Sequence, residues 1–189
     1  MQRGRVCFVK NIILIGYMGC GKSTVGQCLA KMLDFTFVDT DAFIETQQQR
    51  TISDIFAIEG EEKFRQLETD LLKQLVKEGR EQLVIATGGG MPLRSENREL
   101  LSKLGMVVYL KASPETIYDR VKNDTQRPLL QCDNPFAKIQ EMIVQRAPVY
   151  QETAEHIVMV DTLAQEVVAE HILGIFQDNI SKSQQRNGY

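Results

Sequence analysis

Residues 16–23, Gly16-Tyr17-Met18-Gly19-Cys20-Gly21-Lys22-Ser23, follow the pattern G-x-x-x-x-G-K-[ST]. Each residue type has a task in holding a polyphosphate. Gly19 and Gly21 let the main-chain N–H groups of the loop, that of Cys20 included, turn toward phosphate oxygens, and the helix start that follows adds a positive partial charge. Lys22 is expected to reach the β- and γ-phosphates of a nucleotide, and the Ser23 hydroxyl to bind Mg²⁺. Thr24 adds a hydroxyl near the α-phosphate. The bland alternative is a Gly-rich turn with a chance Lys. A strand-like run before the loop and a helical pattern after it argue against that.

Other constellations could supply an acceptor side. Asp39 and Asp41 stand two residues apart where a strand-like run ends, so both can look toward one cleft. A hydroxyl attacking a phosphate needs a carboxylate to orient it and accept its proton. One of the pair could instead cap a helix. Arg65 precedes Glu68 by three positions, which puts them on one helical face. Spacing alone favours a solvated ion pair there, commonly worth ~0–1 kcal/mol. Gly88-Gly89-Gly90 can let a ligand approach the backbone, or can simply turn a strand into a helix. Arg127 opens RPLL within a polar stretch, 124–134, that reads as a loop.

The elements that must carry these residues alternate between short β-branched runs and longer helical patterns. Strands are expected at 11–16, 35–39, 82–87, 106–110 and 156–160. Helices are expected at 22–33, 95–104, from Pro114 to about Asn123, from Pro135 to Tyr150, and at 163–177. From Asp41 to Lys77 the pattern is helical, with breaks near Thr51 and Gly60, and Phe64, Leu67, Leu71 and Leu75 form one stripe. This alternation predicts an α/β fold with a parallel sheet between helices. Residues 1–189 read as one domain, with a substrate-binding helical segment at about 40–79 and a frayed tail at about 180–189.

Composition narrows the function classes. The 189 residues carry 22 Lys plus Arg against 25 Asp plus Glu, so no global basic excess points to nucleic acid. Cys7, Cys20, Cys28 and Cys132 form no Cys-x-x-Cys pair, and His156 and His171 lie far from most of them, so neither a zinc site nor a disulfide framework is expected. Reduced thiols fit a cytoplasmic protein. No apolar run approaches the ~20 residues that span a bilayer. The reading therefore expects no membrane span and no signal or transit peptide. The guanine-reading Asn-Lys-x-Asp of GTPases and the Leu-Ser-Gly-Gly of ABC-type ATPases are absent, which leaves a small-molecule kinase.

Six motifs in order carry a closer resemblance: GYMGCGKST at 16–24, FVDTD at 37–41, FRQLE at 64–68, GGG at 88–90, RPLL at 127–130 and RAPVY at 146–150. In these the sequence resembles the shikimate kinases over nearly the whole chain, from Asn11 to about Phe176. The resemblance implies a P-loop fold of the nucleoside-monophosphate-kinase type, with a five-stranded parallel sheet in the order 2-3-1-4-5. It implies transfer of the ATP γ-phosphate to the 3-hydroxyl of shikimate, giving shikimate 3-phosphate and ADP, in aromatic amino-acid biosynthesis. ATP and Mg²⁺ are the implied cofactors, and a cytoplasmic monomer is expected.

Residue by residue, the resemblance gives Asp41 the contact with the substrate hydroxyls and Asp39 the Mg²⁺ water shell. It gives Arg65 and Arg146 the shikimate carboxylate, a task that suits a planar fork. The middle glycine, Gly89, contacts shikimate, with Gly88 and Gly90 beside it. Arg127 meets the ATP phosphates from a lid at about 122–134. Arg120 packs on adenine, and Gln165 falls in the second adenine-contacting loop, although DTLAQE at 161–166 departs there from relatives with Arg or Pro. Phe56 and Phe64 wall the substrate pocket or pack the core. The competing readings are a kinase of another polyol acid such as gluconate, and a nucleotide-binding regulatory protein without transfer activity.

Overall fold

The computed structural model of the chain describes residues 11–122 and 133–185. Arg127 and nearly all of the expected lid, with Cys7 and Cys132, lie outside the described residues. Strands β1 (Ile12–Ile15), β2 (Thr36–Asp39), β3 (Leu83–Ala86), β4 (Met106–Lys111) and β5 (His156–Met159) form one parallel sheet in the order β2-β3-β1-β4-β5. That is the order the resemblance implied. All residues of β1 and β3 are buried, as expected for Ile-, Leu- and Val-rich runs covered by helices on both faces. Removing a large side chain such as Leu14 from such a core commonly costs about 2–5 kcal/mol.

The helices are α1 (Lys22–Leu33), α2 (Thr40–Gln48), α3 (Ile52–Glu78), α4 (Ser95–Leu104), α5 (Pro114–Val121), α6 (Pro135–Thr153) and α7 (Gln165–Gln185). Gly26 lets α1 lie close on the sheet, since a Cβ there would stand 2.6 Å from the Phe37 ring. The two expected breaks after Asp41 are present. Gln49, at φ 52°, ends α2, and a Thr51–Asp54 capping box starts α3. Gly60, at φ 83° and ψ 170°, kinks α3. Beyond the kink, Phe64, Glu68, Leu71, Leu72 and Leu75 are buried.

Two features differ from the sequence reading. A short 3-10 helix, Met91–Leu93, follows the glycine run, with Met91 fully buried and its carbonyl accepting from Asn97 Nδ2 at 2.9 Å. The closing helix runs to Gln185 rather than 177, because Ile180 still packs against the core. Among the described residues no helix is long and apolar enough to cross a membrane.

This topology positions the candidate residues. Parallel strands send their carboxyl ends to one edge, where ligands of such sheets bind. The phosphate loop leaves β1, the triple glycine leaves β3, and Asp39 and Asp41 lie at the end of β2. These three strands are consecutive neighbours in the sheet.

Candidate active site

The phosphate loop closes through its own main chain. Gly19 stands at φ +76°, and a Cβ there would come within 2.7 Å of the Val121 side chain, so both conformation and space require glycine. Lys22, 9% exposed, donates to the carbonyls of Gly16 at 2.9 Å and Tyr17 at 3.0 Å. Cys20 Sγ, buried, lies 3.8 Å from the same ammonium. Arg120, on α5, donates to the carbonyls of Gly19 and Cys20, each at 3.3 Å, and to that of Val160 at 2.9 Å. It thereby ties the loop to the end of β5.

Asp39 divides its carboxylate between both readings made of it. Oδ1 accepts from the Asp41 and Ala42 N–H groups at 3.1 and 3.3 Å and caps α2, whereas Oδ2 accepts from the Ser23 hydroxyl at 2.7 Å. Asp41, in the first turn of α2, has a buried Oδ1 without a hydrogen-bond partner. Burial, then the neighbouring Asp39 charge, holds its carboxyl above the usual carboxylate range, with Lys22 and Arg65 pulling the other way. Such a carboxylate binds a proton more readily than one in water.

The cleft joining these groups has a volume of about 390 Å³. Of the residues expected at the site, it is lined by Gly19, Gly21, Lys22, Ser23, Thr24, Asp39, Asp41, Gly89, Arg120 and Gln165. Cys20, Arg65, Gly88, Gly90 and Arg146 do not line it.

Cys20 stays within the phosphate loop, and Arg65 packs against the triple glycine. Arg65 pairs with Glu68 at 2.8 Å and Glu61 at 2.9 Å, and its guanidinium lies over the Phe64 ring at 5.4 Å. Phe64 in turn meets Phe56, with ring centroids 5.1 Å apart. The Arg65–Glu68 pair is no surface pair, because the Glu68 side chain is fully buried and that of Arg65 is 16% exposed. A Cβ on Gly90 would sit 2.3 Å from Arg65 Nη1, and one on Gly88 would sit 2.5 Å from Asp41 Oδ1 and 2.8 Å from Glu68 Oε1. Glycine at both positions admits these charged groups against the turn. Arg146, on α6, lies over the Tyr17 ring at 5.7 Å, so this cation touches the phosphate loop.

Two further residues set the turn and were not legible as site residues. Thr40 Oγ1 accepts from the Gly88 N–H at 2.9 Å, and Tyr150 donates its hydroxyl to the Gly89 carbonyl at 2.6 Å. Both lie inside motifs already singled out, FVDTD and RAPVY, which was the available signal.

Glu68 Oε1 and Asp41 Oδ1 are the two buried side-chain atoms without a partner among the described residues. Burial pushes the Glu68 carboxyl up to about 7, against the pull of Arg65. The folded chain therefore holds this proton more tightly than the unfolded chain. The resulting stabilisation is complete below the ordinary value of 4.5 and is lost as pH rises through about 7. Melting temperature measured from pH 4.5 to 7 should fall more steeply for the native protein than for Glu68→Gln. Parallel curves would show that Glu68 does not titrate in that window.

Comparison with known proteins adds a family. The family model described as shikimate kinase matches residues 18–176. A shikimate kinase of Thermodesulfovibrio yellowstonii is 45% identical over 165 residues, which cover 87% of this chain and 94% of that protein. The structure of shikimate kinase from Acinetobacter baumannii in complex with shikimate aligns with a TM-score of 0.85 and 41% identity, over 90% of this chain and 94% of the other. A gluconokinase from Sinorhizobium meliloti aligns with a TM-score of 0.57 at 17% identity, over 95% of this chain and 98% of the other, a likeness of fold alone.

Proposed function

The chain belongs to the shikimate kinase family, and on that premise we propose how its residues move the γ-phosphate of ATP to the 3-hydroxyl of shikimate. One observation carries the proposal. Asp41 Oδ1 is buried and unpartnered beside Gly88 on the acceptor side, while Asp41 also lines the cleft of the phosphate loop. A group so placed can touch both reactants.

In this reading the loop N–H groups and Lys22 cradle the phosphates. Two ammonium donors already meet carbonyls, and the 3.8 Å contact with the Cys20 sulfur is one that a phosphate oxygen would readily replace. Arg120 spends its guanidinium edge on carbonyls, which leaves its faces for adenine, with Gln165 across the cleft. Arg65 and Arg146 hold the shikimate carboxylate, and the glycine turn offers main-chain donors to the ring. Asp41 orients the 3-hydroxyl and accepts its proton as the oxygen bonds to the γ-phosphorus and the bond to the β–γ bridging oxygen breaks, releasing ADP. Arg127, outside the described residues, is read as the lid cation that meets the phosphates on closure.

The donors at the cleft fit Mg²⁺. Ser23 and Asp39 bring hard oxygens within 2.7 Å of each other, and Mg²⁺ keeps several waters and phosphate oxygens rather than a full protein cage. Once bound, the ion would neutralise charge on the β- and γ-phosphates. Ser23 would hold it directly, and Asp39 through water.

One sheet with one core cluster among the described residues supports a single kinase domain, which we read as a monomer. ATP as co-substrate supports a cytoplasmic enzyme. ADP release over a panel of hydroxy acids is the test. Release with shikimate and none with gluconate is expected. Release with gluconate would favour the polyol-acid reading, and none with any acid would favour a regulatory protein.

A further inference from the structure

Tyr150 has a role that core packing does not explain. It is 1% exposed, and its ring lies against Tyr109 of β4, with centroids 5.2 Å apart. Its hydroxyl nevertheless reaches out of the core to the Gly89 carbonyl at 2.6 Å. Arg146 precedes it by one turn of α6, which puts both side chains on one helical face, and its guanidinium lies over the Tyr17 ring while its charge acts on the same phenol. A phenol can donate once and accept as well, so one oxygen has the capacity to serve both neighbours.

We propose that Tyr150 is a positioning residue of the acceptor site, whose buried hydroxyl joins the Arg146 guanidinium to the Gly89 carbonyl and sets the direction of both. The proposal rests on the reading of Arg146 as a cation for the acceptor carboxylate. Three physical points support it. The guanidinium lies over the Tyr17 ring on one side, and the phenol one helical turn away would hold it on another, so little freedom would remain to be lost when a carboxylate arrives. The Gly89 carbonyl is pinned toward Tyr150, and a planar trans peptide then turns the Gly90 N–H the opposite way. Burial also raises the phenol above its ordinary pKa of 10.0, so the hydroxyl keeps the proton it donates.

The test is a double-mutant cycle of Tyr150→Phe and Arg146→Ala, read by calorimetry with shikimate in the absence of nucleotide. Phe keeps the ring and removes only the hydroxyl. Tyr150→Phe should weaken shikimate binding about tenfold, the scale of one hydrogen bond to a charged group. Its KM for ATP and its turnover at saturating shikimate should stay within about twofold of the native values. In the Arg146→Ala background the same change should cost less than about threefold, since coupled residues are not additive. Unchanged shikimate affinity in Tyr150→Phe, or an equal loss in both backgrounds, would overturn the proposal. So would a loss of fold, which would assign the hydroxyl to stability. The single variant Arg146→Ala reports separately on the underlying reading: normal shikimate affinity there would remove Arg146 from the carboxylate, and with it the route through Tyr150.

Discussion

Asp41→Asn is expected to lower turnover by about 10²–10⁴-fold, the usual contribution of a positioned general base. The substitution keeps the shape of the side chain and removes its charge and basicity. Shikimate affinity should change by no more than about tenfold, since an amide can still hydrogen-bond a hydroxyl. Stability should not fall, because the native carboxylate is costly to the fold. Its Oδ1 is buried without a partner, and Asp39 lies close enough to raise its pKa. A melting temperature equal to or above the native one, beside a large loss of turnover, is the signature of a group kept for chemistry. Turnover and thermal melting on the same preparation check both halves. Near-native turnover would remove Asp41 from the reaction.

Arg65→Ala should produce the largest loss in acceptor binding. Arg65 is held by Glu61 and Glu68, rests on Phe64 and lies where a side chain at position 90 would displace its guanidinium. Removing one partner of a desolvated charge pair commonly costs about 2–5 kcal/mol, which corresponds to roughly 30- to 4,000-fold in affinity. Part of the loss would come through Glu68, left buried without its cation. Arg65→Lys separates the two contributions, because it retains a charge for Glu68 but lacks the fork for a carboxylate. Calorimetry with shikimate should place the Lys variant between the native protein and Ala. Unchanged affinity in both would return Arg65 to a purely structural ion pair.

The phosphate loop was the most legible part of the chain, because its chemistry is local. Strand, glycines, Lys22 and helix lie within some twenty consecutive residues, and the strand order that the family resemblance implied put the loops after β1 and β3 beside the end of β2. Asp39 was legible only as two alternatives, and its two oxygens satisfy both. Glu68 was legible as a partner of Arg65 but not as a buried one, since burial depends on the 3-10 helix and α4 that fold over α3. Thr40 and Tyr150 were invisible as site residues for the same reason. Their partners, Gly88 and Gly89, stand 48 and 61 positions away, and no spacing rule spans such a distance. The last turns of α7 were missed because the polar run at 181–185 masks Ile180 and its anchorage in the core.

The central claim is that ATP and shikimate meet across Asp41, so that one particular hydroxyl receives the phosphate. Phosphorus NMR of the product formed by the purified chain from ATP, Mg²⁺ and shikimate tests it most directly. The account predicts a single phosphate monoester on the 3-hydroxyl, formed in step with ADP. An ester on another hydroxyl, or ADP released without any shikimate phosphate, would contradict it.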